Sequence, residues 1–375
     1  MSSMVRRPSQ FRDYALSIKN AVDRELSLWI APRTARAKEL GGATSALAEA
    51  IAQFATRGGK RLRAVLLALA YEAYAGAGAN PHPKGEGAPG PRPAKATGSL
   101  PSGLDDILPA LLSVELLQAY LLIHDDWMDE DDVRRGGPTV HVMLREHFGA
   151  PRLGEIGAIL AGDLTAGYAL EALGETRTSP DRLAGAMREL ARIQVDVVLG
   201  QTLDVYKSED LESMHELKTN SYTVRGPLLL GATLGGASAA QKAELEAFAR
   251  PLGLAFQLRD DLLGTFGDPE KTGKSCAGDL RQGKRTALIH ELLAGDASGE
   301  DRALVTRVLG VSGAPSGDIE RVVERFTSSG AKARVESKLH ALLEDAQARL
   351  ARMVLAPEAQ AILAGAVSAL GEREQ

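Results

Sequence analysis

LLSVELLQAYLLIHDDWMDEDDVRRGGPTVH, residues Leu111–His141, joins a long apolar run to a cluster of carboxylates, two adjacent arginines and a Gly-Gly-Pro turn. At 3.6 residues per turn, Asp125 and Asp129 project from one side of a helix, with Asp126 beside them. The apolar residues hold such a helix in a core while its end presents concentrated negative charge. A C-terminal helix end is the unfavourable end for anions. The same arrangement recurs at Asp260-Asp261, which closes the apolar stretch from Gly253. Two like charges about 5 Å apart repel by roughly 3 kcal/mol at an effective dielectric of about 20. Tolerating this twice calls for a counter-ion. Carboxylate-only donors select a hard cation, so Mg²⁺ or Mn²⁺ is expected rather than zinc. The alternative is a pair of solvated acidic helix ends.

Outward from this stretch, apolar residues recur at spacings of three and four: Tyr14, Ile18, Val22 and Leu26, then Leu47, Ile51 and Phe54. That period is helical. Further helices are expected over 157–173, 181–202, 211–236 and 241–266, the last kinked or restarted at Pro251 and the one before it bent or interrupted at Pro227. Residues 286–370 read as helices with a break at 310–317, and no segment alternates as a strand. Aromatics make up 4% of the chain while Leu, Ala, Glu and Arg abound, a mixture that favours helix. The expectation is an all-α chain of 375 residues forming one large helical bundle. Residues 76–103 hold six of the 17 prolines and seven of the 39 glycines, and should be a flexible insertion within that domain.

Composition excludes several classes. A net charge of -5 argues against a nucleic-acid binder. The one cysteine, Cys276, rules out an intramolecular disulfide framework and fits a cytoplasmic protein. No run of about 18 apolar residues exists, so no transmembrane segment is expected, and the N-terminal residues lack the apolar core of a signal peptide.

Cations accompany the carboxylates. Gly58-Gly59-Lys60-Arg61-Leu62-Arg63 frees the backbone and then places cations at a helix start, where unpaired N–H groups already favour anions. Arg134, Arg135, Lys218, Lys274 and Lys284 also fall near turns or helix ends. Abundant carboxylates and cations together suit a diphosphate, bridged by metal on one side and gripped by Arg and Lys on the other. Stabilising such a leaving group could let a C–O bond ionise with no nucleophilic side chain.

Together GGKRLR (58–63), DDWMDEDDVRRGGPT (125–139), LAGD (160–163), KT (218–219), FQLRDD (256–261) and GDLRQGKRT (278–286) resemble the trans-isoprenyl diphosphate synthase, or polyprenyl synthetase, family over about residues 50–290. The resemblance implies an isoprenoid synthase bundle with a central cavity, three Mg²⁺ ions, a homodimer and head-to-tail condensation of isopentenyl diphosphate with an allylic diphosphate. By resemblance, Asp125, Asp126, Asp129, Asp260 and Asp261 are the metal ligands. Arg134, Lys218, Lys274 and Lys284 would grip the allylic diphosphate, and Gly59, Lys60, Arg63 and Arg135 the isopentenyl diphosphate. Gln118 stands where many relatives have a His contacting isopentenyl diphosphate. Gln257 matches an amide facing the site, and Thr219 a residue orienting the allylic group.

Tyr120 and Leu121, five and four positions before Asp125, match the residues that limit product length. A single aromatic at the fifth position resembles geranylgeranyl diphosphate synthases and implies a C20 product. The second acidic motif departs from DDxxD: Gly264 replaces its last Asp, and Asp268 is the nearest substitute. The rival readings are a farnesyl or longer-chain synthase, a class I terpene cyclase, and the regulatory subunit of a heteromeric prenyltransferase. A cyclase would need no isopentenyl diphosphate site, yet Gly58–Arg63 and Arg135 are present.

Overall fold

A computed structural model describes residues 8–75, 100–101, 103–267, 278–294, 297–311 and 313–371. The 76–103 insertion therefore lies almost wholly outside the described residues, as do Asp268, Lys274 and Cys276.

Among the described residues the chain is helical apart from one two-residue pairing of β1 (Val133–Arg134) with β2 (Gly137–Pro138). The N-terminal helices are α1 (Pro8–Leu40), α2 (Gly42–Thr56) and α3 (Leu62–Ala75). The stretch quoted above supplies α4 (Leu108–Met128), and α5 (Val140–Phe148), α6 (Pro151–Gly174) and α7 (Pro180–Val205) follow. Next come α8 (Leu211–His215), a ten-residue π-helical segment (Glu216–Arg225), α9 (Gly226–Gly235) and α10 (Ala239–Phe266). The C-terminal part contains α11 (Gly278–Arg281), α12 (Ala287–Leu293), α13 (Gly299–Val308), α14 (Ser316–Ser328), α15 (Ala331–Leu350) and α16 (Pro357–Gly371).

Two proline expectations have different outcomes. Near Pro227 the helix changes type without stopping: π geometry gives way to α at Gly226, and Pro227, which has no N–H to donate, is the second residue of α9. At Pro251 helical geometry runs on without a stop or restart. Pro251 is buried among the apolar residues of α10, whose packing holds the helix across one missing hydrogen bond.

The residues form two compact units. The first comprises Met1–Arg192, Gly226–Ala243 and Leu355–Ile362. Its most extensive pairings are α4 on α6 and α3 on α9. Nearly every residue of Leu108–Tyr120 is buried, and the Ser113 hydroxyl, wholly inside, donates to the Ala169 carbonyl at 2.6 Å. Helix α9 meets α3 almost backbone to backbone: a Cβ on Gly231 would lie 2.1 Å from the Leu67 carbonyl oxygen. Helix α6, interrupted by Arg152, Glu155, Asp163 and Glu171, is 24 residues long and by length and composition apolar enough to cross a membrane, with 44% of its most apolar window buried in the protein.

The second unit comprises Ile193–Arg225, Glu244–Val354 and Leu363–Gln375. Its core gathers Leu262, Leu280, Leu288, Ile289, Val305, Val322, Phe326 and Val335 from α10 to α15. The expected break at 310–317 separates α13 from α14.

Because the α3–α9 contact leaves no room for a methyl group, Gly231→Ala should destabilise the protein by about 1–3 kcal/mol. Urea unfolding followed by circular dichroism measures it.

Candidate active site

In the first unit, the Gly58–Arg63 loop is built on one buried guanidinium. Arg61, 4% exposed, donates to Asp23 at 2.7 Å, to Glu115 at 3.1 Å and to the Ala55 carbonyl at 3.1 Å. Burial opposes its charge, but Glu115 and Asp23 outweigh that and hold its pKa above the usual value. Glu115 is the one acid inside the apolar run of α4, and it also accepts the Ala64 N–H of α3 at 3.3 Å. So one of the N–H groups expected to cradle an anion is already engaged. The Gly58–Arg61 turn is pinned, leaving Lys60 exposed and Arg63 buried on the first turn of α3.

The second loop is the hairpin that follows the acidic cluster. Arg135 and Gly136 both have positive φ, 51° and 72°, as a two-residue hairpin turn requires. Arg57 holds this hairpin from below, donating to the carbonyls of Arg134 at 3.0 Å and Pro138 at 2.8 Å. The turn sends its two arginines to different places. Arg134 binds Asp126 and lies 3.6 Å from Asp125. Arg135 donates to the Gly58 carbonyl at 2.5 Å. Desolvation and the neighbouring cations Arg61, Arg63 and Arg134 depress the Arg135 pKa, although Glu115 opposes them. A bound anion would relieve that repulsion.

The three aspartates on α4 differ in their surroundings. Asp126 is fully buried, and desolvation pushes its pKa up to about 7 against the pull of Arg134. Arg134 takes Oδ1, while Oδ2 is buried with no hydrogen-bond partner. Asp125 and Asp129 are half-buried. Among the described residues no three His, Cys, Asp or Glu side chains converge as a preformed metal cage. Mg²⁺ seldom uses one: it takes one or two carboxylates and leaves its other positions to water and substrate phosphate. The all-carboxylate donors and the unpartnered Asp126 oxygen fit such an ion. Gln118, Tyr120 and Leu121 lie on the same helix, Tyr120 buried and the other two half-buried.

In the second unit, Lys218 and Thr219 sit in the π-helical segment, a geometry that recurs at functional sites. Glycines admit it on two sides. A Cβ on Gly200 of α7 would fall 2.1 Å from the Lys218 backbone nitrogen. One on Gly253 of α10 would fall 1.6 Å from Oδ1 of the buried Asn220. Arg225 closes the segment by pairing with Asp196, with Glu246 at 3.1 Å and with Glu216 at 3.4 Å. Asp204 holds the Lys218 ammonium. Nearby His215 is buried, which lowers its pKa to about 4 and keeps it neutral.

The second acidic pair is also asymmetric. Asp260 is exposed. Asp261 is buried, with Oδ1 accepting from the Gln257 amide at 2.7 Å and Oδ2 from the Ala287 N–H at 2.9 Å. Desolvation raises its pKa to about 7, with Asp279 and Asp260 adding to the shift. Asp279 lies beside Gly264, where the motif lacks its last Asp: a Cβ on Gly264 would fall 2.7 Å from its Oδ2. A carboxylate from α11 thus fills the space that a side chain at 264 would occupy. Lys284 is half-buried, its N–H donating to the Asp279 carbonyl at 2.9 Å. The sequence assigned no individual role to Arg57, Arg61, Glu115, Asp204 or Asp279. Only Glu115, a lone acid in an apolar run, carried a signal that it needed a buried partner.

The profile of the polyprenyl synthetase family matches residues 44–326. The geranylgeranyl diphosphate synthase of Methanosarcina mazei is 32% identical over 314 residues, 82% of this chain and 83% of that one. The geranylfarnesyl diphosphate synthase of Natronomonas pharaonis is 31% identical over 307 residues, covering 77% and 84%. Among solved structures, the geranylgeranyl pyrophosphate synthase of Corynebacterium glutamicum, complexed with isoprenyl diphosphate and magnesium, superposes with a TM-score of 0.83 at 30% identity, covering 95% of this chain and 98% of that one.

Removing Glu115 would strand a buried guanidinium, so Glu115→Ala should cost about 3–5 kcal/mol. A thermal or urea melt reads this directly.

Proposed function

Since the chain belongs to the polyprenyl synthetase family and has its all-α isoprenoid synthase fold, we propose that it makes geranylgeranyl diphosphate. It is a prenyltransferase that joins isopentenyl diphosphate head-to-tail to an allylic diphosphate. The observation that carries a two-substrate synthase over a cyclase is the division of labour in the hairpin. Arg134 serves the acidic cluster while Arg135 turns to the Gly58–Arg63 loop. Two diphosphate positions in one unit suit two diphosphate substrates.

In this reading Arg134, Lys218, Lys274 and Lys284 grip the allylic diphosphate, and Thr219 and Gln257 orient the reacting end. Gly59, Lys60, Arg63, Arg135 and Gln118 take isopentenyl diphosphate. Asp125, Asp126 and Asp129 bind Mg²⁺ in one unit, and Asp260 and Asp261 in the other. Arg134, Gln257 and the Ala287 N–H fix the second Asp of each pair, and Asp279 supplies the carboxylate that Gly264 lacks. When bound, the metal neutralises the departing diphosphate and so favours ionisation. The chain's own part is to hold the allylic C–O bond near that charge and to present the isopentenyl double bond to the resulting carbon. That carbon gains the new C–C bond as the diphosphate leaves, and the proton lost from the adduct passes to the released diphosphate. Tyr120 and Leu121 close the space available to the growing tail, which sets the C20 limit. The magnesium in the Corynebacterium glutamicum structure supports the choice of metal. The single cysteine supports a cytoplasmic setting.

The test is incubation with Mg²⁺, labelled isopentenyl diphosphate and C5, C10 or C15 primers, followed by sizing of the dephosphorylated products. C20 should dominate and chelation of the metal should abolish it; no incorporation with any primer would sink the reading. Arg135→Ala should raise the KM for isopentenyl diphosphate about 10- to 100-fold, the scale of a lost charge-assisted hydrogen bond, with far less change for the primer.

The homodimer is proposed from α6, whose Leu153, Ile156, Ile159, Leu160 and Leu170 are exposed. An apolar face of that extent calls for a cover, and a second copy of the chain supplies one. Light scattering should give twice 39.7 kDa. The double variant Ile156→Glu, Leu170→Glu should run as a monomer.

A further inference from the structure

The LAGD motif and the His before the first acidic cluster have no part in the roles assigned so far, and the structure places them in contact. Tyr120 and His124 are one turn apart on α4 and so share a face. Their rings meet edge to face, 5.1 Å between centroids at 75°. His124 is itself held from α6: its Nε2 lies 3.1 Å from the Ile159 carbonyl oxygen, a contact that requires the proton on that nitrogen. The imidazole rests on Gly162. A Cβ there would fall 2.0 Å from Nε2 and 2.3 Å from Cδ2, inside the ring's own volume. Gly162 is therefore a notch in α6, His124 is seated in it, and Tyr120 leans on His124.

We propose that His124, seated in the Gly162 notch, is a specificity-determining residue that props Tyr120 and thereby sets how long a product the enzyme releases. The proposal rests on the reading of Tyr120 as the tail stop. A stop works only if its ring keeps its place against a lengthening hydrocarbon chain. Tyr120 is buried on the apolar run of α4. The edge-to-face contact with an anchored imidazole is directional. An aromatic pair of this kind biases a ring's position roughly two- to tenfold. His124 is hydrogen-bonded to the backbone of a different helix, so the prop does not move with α4 alone.

The experiment measures product distribution rather than rate, so the nearness of His124 to Asp125 does not confuse it. Wild type, Tyr120→Ala, His124→Ala, Gly162→Ala and the double variant Tyr120→Ala, His124→Ala are each supplied with Mg²⁺, isopentenyl diphosphate and the C15 primer. Products are sized by chromatography, and each variant's melting temperature is recorded. His124→Ala should raise the ratio of products one isoprene unit longer about two- to tenfold. Gly162→Ala, which drives the ring from its seat, should shift it the same way. In the Tyr120→Ala background, His124→Ala should add no further lengthening. A wild-type ratio for both His124→Ala and Gly162→Ala, while Tyr120→Ala lengthens the product, would overturn the prop and leave the tail stop standing. Full lengthening by His124→Ala in the Tyr120→Ala background would also overturn it, because His124 would then act without Tyr120. Unchanged products from Tyr120→Ala itself would remove the tail stop and the prop together.

Discussion

A guanidinium with almost no access to water, Arg61, is the constraint on which the first unit's chemistry depends. Burying an ion costs several kcal/mol unless its hydrogen bonds are nearly complete. Asp23 on α1, Glu115 on α4 and the Ala55 carbonyl of α2 complete them. Three helices are thus fixed around the residue just before α3, and the Gly58–Arg63 loop is held at that point. Arg57, three residues before Lys60, secures the neighbouring hairpin through two carbonyls. The Gly58–Arg63 loop and the hairpin are therefore held by arginines whose hydrogen bonds go to protein groups.

The same economy governs the acidic pairs. In each, the second Asp is buried and hydrogen-bonded to protein, by Arg134 in one case and by Gln257 and the Ala287 N–H in the other. Such contacts favour the ionised form against desolvation. Adjacent aspartates are chemically identical in sequence but not in the fold, where neighbours decide which carboxylate is buried and how far the other meets water.

Glycines provide the remaining precision. Gly200, Gly253 and Gly162 each lie where a methyl group would overlap another residue's atoms. Through them α7 and α10 close on the π-helical segment carrying Lys218 and Thr219, and α6 receives His124. Close packing leaves these side chains few alternative positions, which is what a site of fixed geometry requires.

The sequence by itself determined the helical class, the acidic clusters and the basic turns, because periodicity and charge are local properties written at fixed spacing. It also showed that Gly264 breaks the second motif. Even the helix boundaries were read closely where a Gly or Pro marks them, as at Gly58-Gly59 and Pro227. Only the tertiary structure decided that Asp279 fills the space beside Gly264, that Arg61 is an internal brace, and that α10 continues through Pro251. Each depends on what a residue distant in the chain places next to it, and on whether water is excluded there. The Leu111–His141 stretch shows both sides. Its helix and its charges are legible from the letters, whereas Glu115's buried partner and the seat of His124 exist only once α3 and α6 have packed against it.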